Sequence, residues 1–441
     1  MTQILPEFGS TLFTLAAFLV ALSIIVAVHE YGHYIVARWS GIKADVFSLG
    51  FGPVVYSRVD RRGTRWQLAL LPLGGYVKFH GDSNAASVGS TPVAASEQRQ
   101  TMLGAPLWAR AATVAAGPVF NFILSIGIFA SVAMLHGQTA DPLTMSKADP
   151  LPPGYVQQLQ PGDQILAIAG QATPASADFD GYLERLPVEP VLDYTVRRNG
   201  AETVVQGPYP YPPAIIGVSP TSAANDAGLK PGDVITAIDG KPIFAFSQIV
   251  SNVSASGGKP LLLDIWNNGQ TRTVTLSPRR VDLPKAGGAF ETRWLIGVTG
   301  GLFFEPVTMA VGPLQAVQMA VSQLWFILTS SLSGFVHMMS GAISSCNISG
   351  PIGIAQTSGA MAAQGAASFI WFVAVLSAAV GLLNLFPIPV LDGGHLVFIG
   401  WEAITGRAPG GRTLQVLMAA GLSLILALMA FAVANDLFLC H

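Results

Sequence analysis

The sequence predicts a multi-pass α-helical membrane protein: four transmembrane helices, a membrane-associated β-hairpin region and two tandem β-rich domains. Three observations carry this reading. Only 11% of the 441 residues are charged while 51% are hydrophobic, against about 25% charged in ordinary globular chains. The apolar residues gather into four stretches of about 20 residues or more, the length that crosses about 30 Å of hydrocarbon. Most charges fall in 38–110 and 141–293, and the second of these blocks contains an internal repeat.

The first apolar stretch covers residues 11–37. It has no basic region before it and is too long for the apolar core of a signal peptide, so it reads as a retained spanning helix. The others are 108–135, containing Gly117-Pro118 and Asn121; 367–390, interrupted late by Asn384, Pro387 and Pro389; and 414–434. A fifth candidate, 314–339, carries Gln315, Gln318, Gln323, two short serine clusters and His337, and reads as an interfacial amphipathic helix. Nine basic residues, from Arg38 to Arg110, lie between the first and second spans, and Arg407 and Arg412 lie between the third and fourth. The positive-inside rule makes these loops cytoplasmic and places the termini and the block 141–300 outside.

Residues 45–79 alternate apolar and polar side chains around Gly50-Phe51-Gly52-Pro53, Arg61-Arg62-Gly63 and Pro72-Leu73-Gly74-Gly75-Tyr76. They read as β-hairpins turning near Arg62-Gly63. An isolated hairpin is marginal in water, so this one packs on the membrane region. Residues 84–96, rich in Ala, Ser and Gly, read as a flexible linker. In the soluble block, Leu159-Gln-Pro161-Gly162-Asp163-Gln-Ile165 recurs as Leu229-Lys-Pro231-Gly232-Asp233-Val-Ile235. Asn199-Gly200 and Asn268-Gly269 then supply a hairpin turn to each copy. The expected boundaries are 1–38 for the first helix, 39–107 for the hairpin region and linker, and 108–137 for the second helix. The β-rich domains occupy 138–212 and 213–283. A connector with the amphipathic helix follows at 284–365, then the third helix at 366–392, a cytoplasmic loop at 393–413 and the fourth helix at 414–436.

The net charge of −2 gives no electrostatic case for nucleic-acid binding. Two cysteines, Cys346 and Cys440, exclude a disulfide framework and argue against a cysteine metal site. The chemistry lies in His29-Glu30-Tyr31-Gly32-His33, at the end of the first apolar run. Residues four apart share a helix face, so His29 and His33 point two imidazoles at one ion, with zinc favoured, and Glu30 stands beside them to take a proton from water. Metal ligands and a carboxylate in a spanning helix imply a function.

Catalytic zinc usually takes three protein ligands. The best candidate for the third is Asp392 in Asn384-Leu-Phe-Pro387-Ile-Pro389-Val-Leu-Asp392-Gly393-Gly394-His395, with His395 the alternative. Pro387 and Pro389 break the helix into an irregular segment that membrane depth tolerates only where it lines a cavity. The first helix runs inward, so Asp392 meets His29 and His33 only if the third span also runs inward. That requires 314–339 not to cross. Asn384 is available to hold a substrate backbone or oxyanion, or else makes a helix–helix contact. The strands over 51–76 either pair with an unwound substrate by strand addition or form a structural flap.

Together these motifs, with Ala115-Ala116-Gly117-Pro118-Val119-Phe120-Asn121 and Ser349-Gly350-Pro351-Ile352-Gly353, resemble the site-2 zinc metalloproteases of group M50B, over essentially the whole chain and in family order. The resemblance implies one Zn2+ held by His29, His33 and Asp392, with Glu30 as the catalytic carboxylate. It implies substrate contacts from Asn384, Pro387, Phe51, Gly52 and Tyr76. It also implies PDZ-like domains facing the periplasm of a bacterial inner membrane, with Ile216, Gly217 and Val218 in the carboxylate-binding loop of the second. The first copy has Pro152-Pro153-Gly154 and no Ala-Gly-Leu segment, so tail capture there is not expected; a size filter is the other reading of the pair. The implied partners are the lipid bilayer and a single-pass membrane substrate, such as an anti-sigma factor already trimmed by another protease or a remnant signal peptide. A PDZ-bearing scaffold or quality-control protein with a non-catalytic metal site is the rival, but it has no need of Glu30. A channel or transporter would show inverted-repeat hydropathy.

Overall fold

The computed structural model describes residues 8–82, 93–174, 179–220, 222–284, 290–344, 346 and 349–439. Most of the expected linker, 84–92, lies outside them. The chain opens with helix α1 (Phe8–Trp39), strands β1 (Ala44–Val59) and β2 (Arg65–Phe79), and helix α2 (Leu107–His136). Next come β3 (Gln138–Thr139), β4 (Met145–Ala148), β5 (Gln164–Ile168), β6 (Gln171–Ala172), α3 (Phe179–Arg185), β7 (Leu192–Arg198) and β8 (Ala201–Gly207). A second set follows: β9 (Gly217–Val218), α4 (Ala223–Asp226), β10 (Val234–Ile238), β11 (Lys241–Pro242), α5 (Phe246–Ala255), β12 (Leu261–Asn267) and β13 (Gln270–Leu276). Strands β14 (Arg279–Pro284), β15 (Phe290–Leu295), β16 (Val298–Thr299), β17 (Phe304–Pro306) and β18 (Thr308–Met309) then lead to α6 (Pro313–Met339). The chain finishes with α7 (Pro351–Ala363), α8 (Ala366–Asn384), α9 (Asp392–Thr405) and α10 (Gly411–Ala434).

Two compact units result: 1–132 with 313–441, and 133–312. In the second unit the repeat becomes two four-stranded sheets of the same plan, β6-β5-β7-β8 and β11-β10-β12-β13. Each copy of the Pro-Gly-Asp turn buries its aspartate for a reason. Asp163 accepts from the Gln160 amide and takes two bonds from the Arg198 guanidinium at 2.7 and 2.6 Å. Asp233 accepts from the Lys230 amide, from Asn267 and from Arg272. Asn199 and Asn268 adopt φ of 52° and 47°, followed by Gly200 and Gly269 at 82° and 85°, as the hairpin turn demands.

The boundary at 283 falls too early. β16 pairs with β9, β17 with β4 and β18 with β3, so residues 298–309 return across both copies. Strands of two or three residues have no readable alternation, which is why they read as connector. Cys346 is disulfide-bonded; its place in a sequence with one other cysteine, Cys440, outside the described residues, gave no spacing from which to read a pair.

In the first unit, five helices among the described residues are long and apolar enough to cross a membrane: Thr11–Trp39, Leu107–His136, Pro313–Met339, Ala366–Asn384 and Gly411–Phe438. That is one more than the four spans read from sequence, and the extra one, α6, is the least hydropathic. Small residues let the helices close on one another. Gly32 of α1 packs on the Ala116 carbonyl and Phe120 of α2, and Gly381 of α8 packs on Phe122 of α2. Asp436, just past α10, accepts from the amides of Gly350, Ile352 and Gly353 and so closes the N-terminus of α7. The expected loop 393–413 is mostly helix, because α9 starts at Asp392 itself; Glu402 of α9 meets Arg110 of α2 at 3.0 Å.

The region between α1 and α2 is more than a hairpin. β1 and β2 pair through a turn at 60–64, where Asp60 accepts from the Arg62 and Thr64 amides, Tyr34 and Trp66. β1 also folds on itself: Gly50 and Gly52 have φ of 89° and 85°. Its first half thus pairs with Gly75–Phe79 and also lies beside Arg65–Leu68, while its second half pairs with Arg65–Ala69. Val54, Val55, Tyr56, Leu70, Leu71 and Leu73 are exposed on these strands, an apolar surface that fits lipid better than water.

Candidate metal centre

His29 and His33 come from consecutive turns of α1, and their Nε2 atoms lie 3.2 Å apart. Asp392 reaches the same point from the other end of the chain, with Oδ2 3.2 Å from His29 Nε2 and 3.5 Å from His33 Nε2. These three residues are the one set of three metal-capable side chains drawn together among the described residues. His395, the alternative ligand, is outside the set.

The triangle tests the fit of an ion. Zinc bonds of about 2.0–2.1 Å in tetrahedral geometry put ligand atoms about 3.3 Å apart, and the three edges match. Asp392 Oδ2 is buried with no hydrogen-bond partner. Two half-buried carboxylates, Glu30 and Asp392, lie beside the imidazoles and supply negative charge to match one divalent cation.

The turn that delivers Asp392 is strained. Leu391 N–H donates to the Ile388 carbonyl at 3.0 Å, with Pro389 and Val390 between them, and Val390 has a φ of 92°. This is the position of a turn that ordinarily requires glycine, and a β-branched residue there is strained. Gly393 and Gly394 lie against the carbonyls of Leu385, Phe386 and Ile388, leaving no room for a side chain. Gly421 of α10 backs Pro389. Packing therefore over-determines the turn and fixes the carboxylate.

A single face of α2 supports the histidines. Thr113, Gly117, Asn121 and Ser125 are spaced by four and all buried. The Thr113 carbonyl accepts from His33 Nδ1 at 2.8 Å. Gly117 lies directly against both imidazoles, and the Asn121 carboxamide is 3.3 Å from His29 Nδ1. The one signal of these roles in the sequence is the four-residue spacing of Thr113, Gly117, Asn121 and Ser125, which by itself names no chemistry. Gly75 of β2 packs on Glu30 Cγ and Val26, setting this strand against the carboxylate.

Of the other expected contacts, Phe51 stacks on Tyr76 with ring centroids 6.0 Å apart, and Gly74 leaves room for the Phe51 ring. Gly52 lies at the bend of β1. Pro387 is exposed, and Asn384 donates to its own helix at the Val380 carbonyl. Ile216 is exposed and its amide donates to Thr299, while Gly217 and Val218 pair with β16; one edge of that strand is therefore already taken. These residues lie in the second unit, away in sequence from the metal triangle.

The model of peptidase family M50 matches residues 17–428. A Rhizobium meliloti protein whose name describes a zinc metalloprotease is 36% identical over 435 residues, covering 96% of each chain. Regulator of sigma-E protease RseP of Salmonella typhimurium is 31% identical, over 97% of this chain and 99% of its own. The chain belongs to peptidase family M50 and is a zinc-dependent membrane endopeptidase.

Proposed function

We propose that the protein cuts single-pass membrane proteins within the bilayer, with His29, His33 and Asp392 holding zinc and Glu30 acting as the general base. The observation that carries this is the ligand triangle, assembled from an apolar helix and a proline-broken turn with Glu30 next to it. Zinc there supplies Lewis acidity toward water and the scissile carbonyl. Glu30 takes the proton of the attacking water on its carboxylate and returns it to the leaving amine. A substrate helix must unwind before its carbonyl is accessible. The strands carrying Phe51, Gly52 and Tyr76 offer backbone for pairing with the unwound segment, and Asn384 and Pro387 border the break that carries Asp392. Asn384 would have to leave the Val380 carbonyl to bind substrate.

Four spans fit this arrangement, with α6 not crossing; it is not confined to the outer surface, because Phe335 near its C-terminal end packs on Phe386 just past α8, ring centroids 5.4 Å apart. If α6 crossed, α8 would run outward and carry Asp392 to the side opposite His33, whereas the two are in contact; α7, 13 residues long, is too short to cross. With basic loops inside, the termini and the two β-rich, PDZ-like domains face the periplasm of a bacterial inner membrane. For those domains the proposal is a size filter or, as the alternative, capture of a peptide tail by Ile216–Val218 in the second. A relative is named for regulating sigma-E, so an anti-sigma factor trimmed beforehand is the proposed substrate class, with remnant signal peptides a second. No observation favours a scaffold with an inert metal.

The test is cleavage of a tagged single-pass substrate by wild type and Glu30→Gln, with zinc measured on both. The expected outcome is wild-type zinc content with cleavage reduced at least 10³-fold, in line with loss of a general base. Equal cleavage by the two would sink the mechanism.

A further inference from the structure

The Asn121 carboxamide points at His29 in a way that decides which ring nitrogen carries the proton. Its nitrogen lies 3.3 Å from His29 Nδ1, while its oxygen is buried and has no hydrogen-bond partner. An amide nitrogen only donates, so this arrangement requires a bare Nδ1 and places the proton on Nε2. Yet Nε2 is the atom that faces Asp392 and His33, each at 3.2 Å, and an ion held between the three residues would need its lone pair. Turning the carboxamide by half a rotation about its terminal bond resolves both problems. The oxygen then accepts from Nδ1–H, it gains the partner it lacks, and Nε2 presents a lone pair to the metal.

His33 already shows the same logic. Its Nδ1 meets the Thr113 carbonyl at 2.8 Å, which only accepts, so Nδ1 carries a proton and in the neutral, metal-binding ring Nε2 is bare. The two ligands are thus served by acceptors two turns apart on one face of α2. Asn121 is well suited to hold its post. It is fully buried, and its own carbonyl accepts from Ser125 at 3.0 Å and from Ser377 of α8 at 2.9 Å. Ser125 is shared with the Ala374 carbonyl of α8.

We infer that Asn121 is a positioning residue for zinc: its side-chain oxygen accepts from His29 Nδ1–H and fixes the tautomer in which Nε2 binds the ion. This rests on the proposed assignment of His29 as a ligand. Partners of this kind change metal affinity by about 10–100-fold.

The experiment measures zinc affinity of the purified full-length protein by competition with a chelator, for wild type and for Asn121→Leu, Asn121→Asp and His29→Ala. Leucine keeps the bulk and removes the acceptor; aspartate keeps the acceptor and removes the amide donor. The expected result is a 10–100-fold loss for Asn121→Leu, affinity within about three-fold of wild type for Asn121→Asp, and loss of stoichiometric binding for His29→Ala. Unchanged affinity in Asn121→Leu, or a loss beyond three-fold in Asn121→Asp, overturns the inference. Should Asn121→Leu not fold, Asn121→Asp decides alone by the same threshold. His29→Ala binding zinc like wild type would instead overturn the ligand assignment beneath it.

Discussion

Gly117 of α2 lies directly against the His33 imidazole: a β-carbon placed there would stand 2.6 Å from His33 Cε1 and 2.7 Å from His29 Cε1. The two imidazoles rest on bare backbone, so they cannot sink away from Asp392. Gly117→Ala forces at least one imidazole outward. Zinc affinity is expected to fall at least ten-fold and cleavage with it, because displacements of about 1 Å are costly at a catalytic centre. Chelator competition checks this; wild-type affinity would contradict it.

Gly75 makes the matching contact on the carboxylate side. A β-carbon there would stand 3.1 Å from Glu30 Cγ, 3.0 Å from Val26 Cγ1 and 2.8 Å from the Ser48 carbonyl. Gly75→Val is expected to displace Glu30 without touching His29, His33 or Asp392. Turnover should fall about 100-fold with zinc content unchanged, a split visible by measuring both on one preparation.

Val390 holds a φ of 92°, a conformation costing a β-branched residue about 1–3 kcal/mol. Val390→Gly relieves that strain but loosens the unfolded chain by about 1 kcal/mol. The expected net gain is about 1 kcal/mol, read as a higher melting midpoint in detergent. A lower midpoint would mean the turn is not strained.

In the second unit, burial alone would raise the Asp163 carboxyl, but the Arg198 guanidinium and the Gln160 amide outweigh it and hold it below the usual carboxylate range. A depressed folded value means that the aspartate contributes its stability above the ordinary carboxylate pKa, about 4, and loses it as pH falls through the folded value. Asp163→Asn is expected to destabilise β5–β8 by about 2 kcal/mol at neutral pH, the buried-pair loss discounted because Arg198 is partly exposed. The difference from wild type should vanish in strong acid. Hydrogen exchange in this sheet at two pH values checks the sign.

Asp436→Ala removes the acceptor shared by three amides at the start of α7. A lost cap of this kind costs about 1–2 kcal/mol. Exchange should speed up at Gly350, Ile352 and Gly353, while the α2 amides keep their protection.

Local periodicity explains what was readable beforehand. His29 and His33 are four apart on one helix, and the two Pro-Gly-Asp turns announce their own repeat. Asp392 was reachable too, because Pro387 and Pro389 mark an irregular segment and the direction of each span constrains where it ends. Thr113, Gly117 and Asn121 were harder: a carbonyl, a missing side chain and an amide carry no chemistry by themselves and act only through what packs on them. β16–β18 are too short to have a period. α9 is hard to read because its first turn carries Gly393 and Gly394, poor helix formers, which the structure uses where the helix starts against three carbonyls.

The distance in sequence between His33 and Asp392 carries a consequence for biosynthesis. Every segment from α1 through the β-rich unit to α8 is made before the turn at Pro389–Val390 leaves the ribosome. With Asp392 as the third ligand, a nascent chain holds two imidazoles and no closed coordination sphere until its last tenth or so is being added. On that assignment the enzyme stays inert while it is inserted next to other newly made membrane helices.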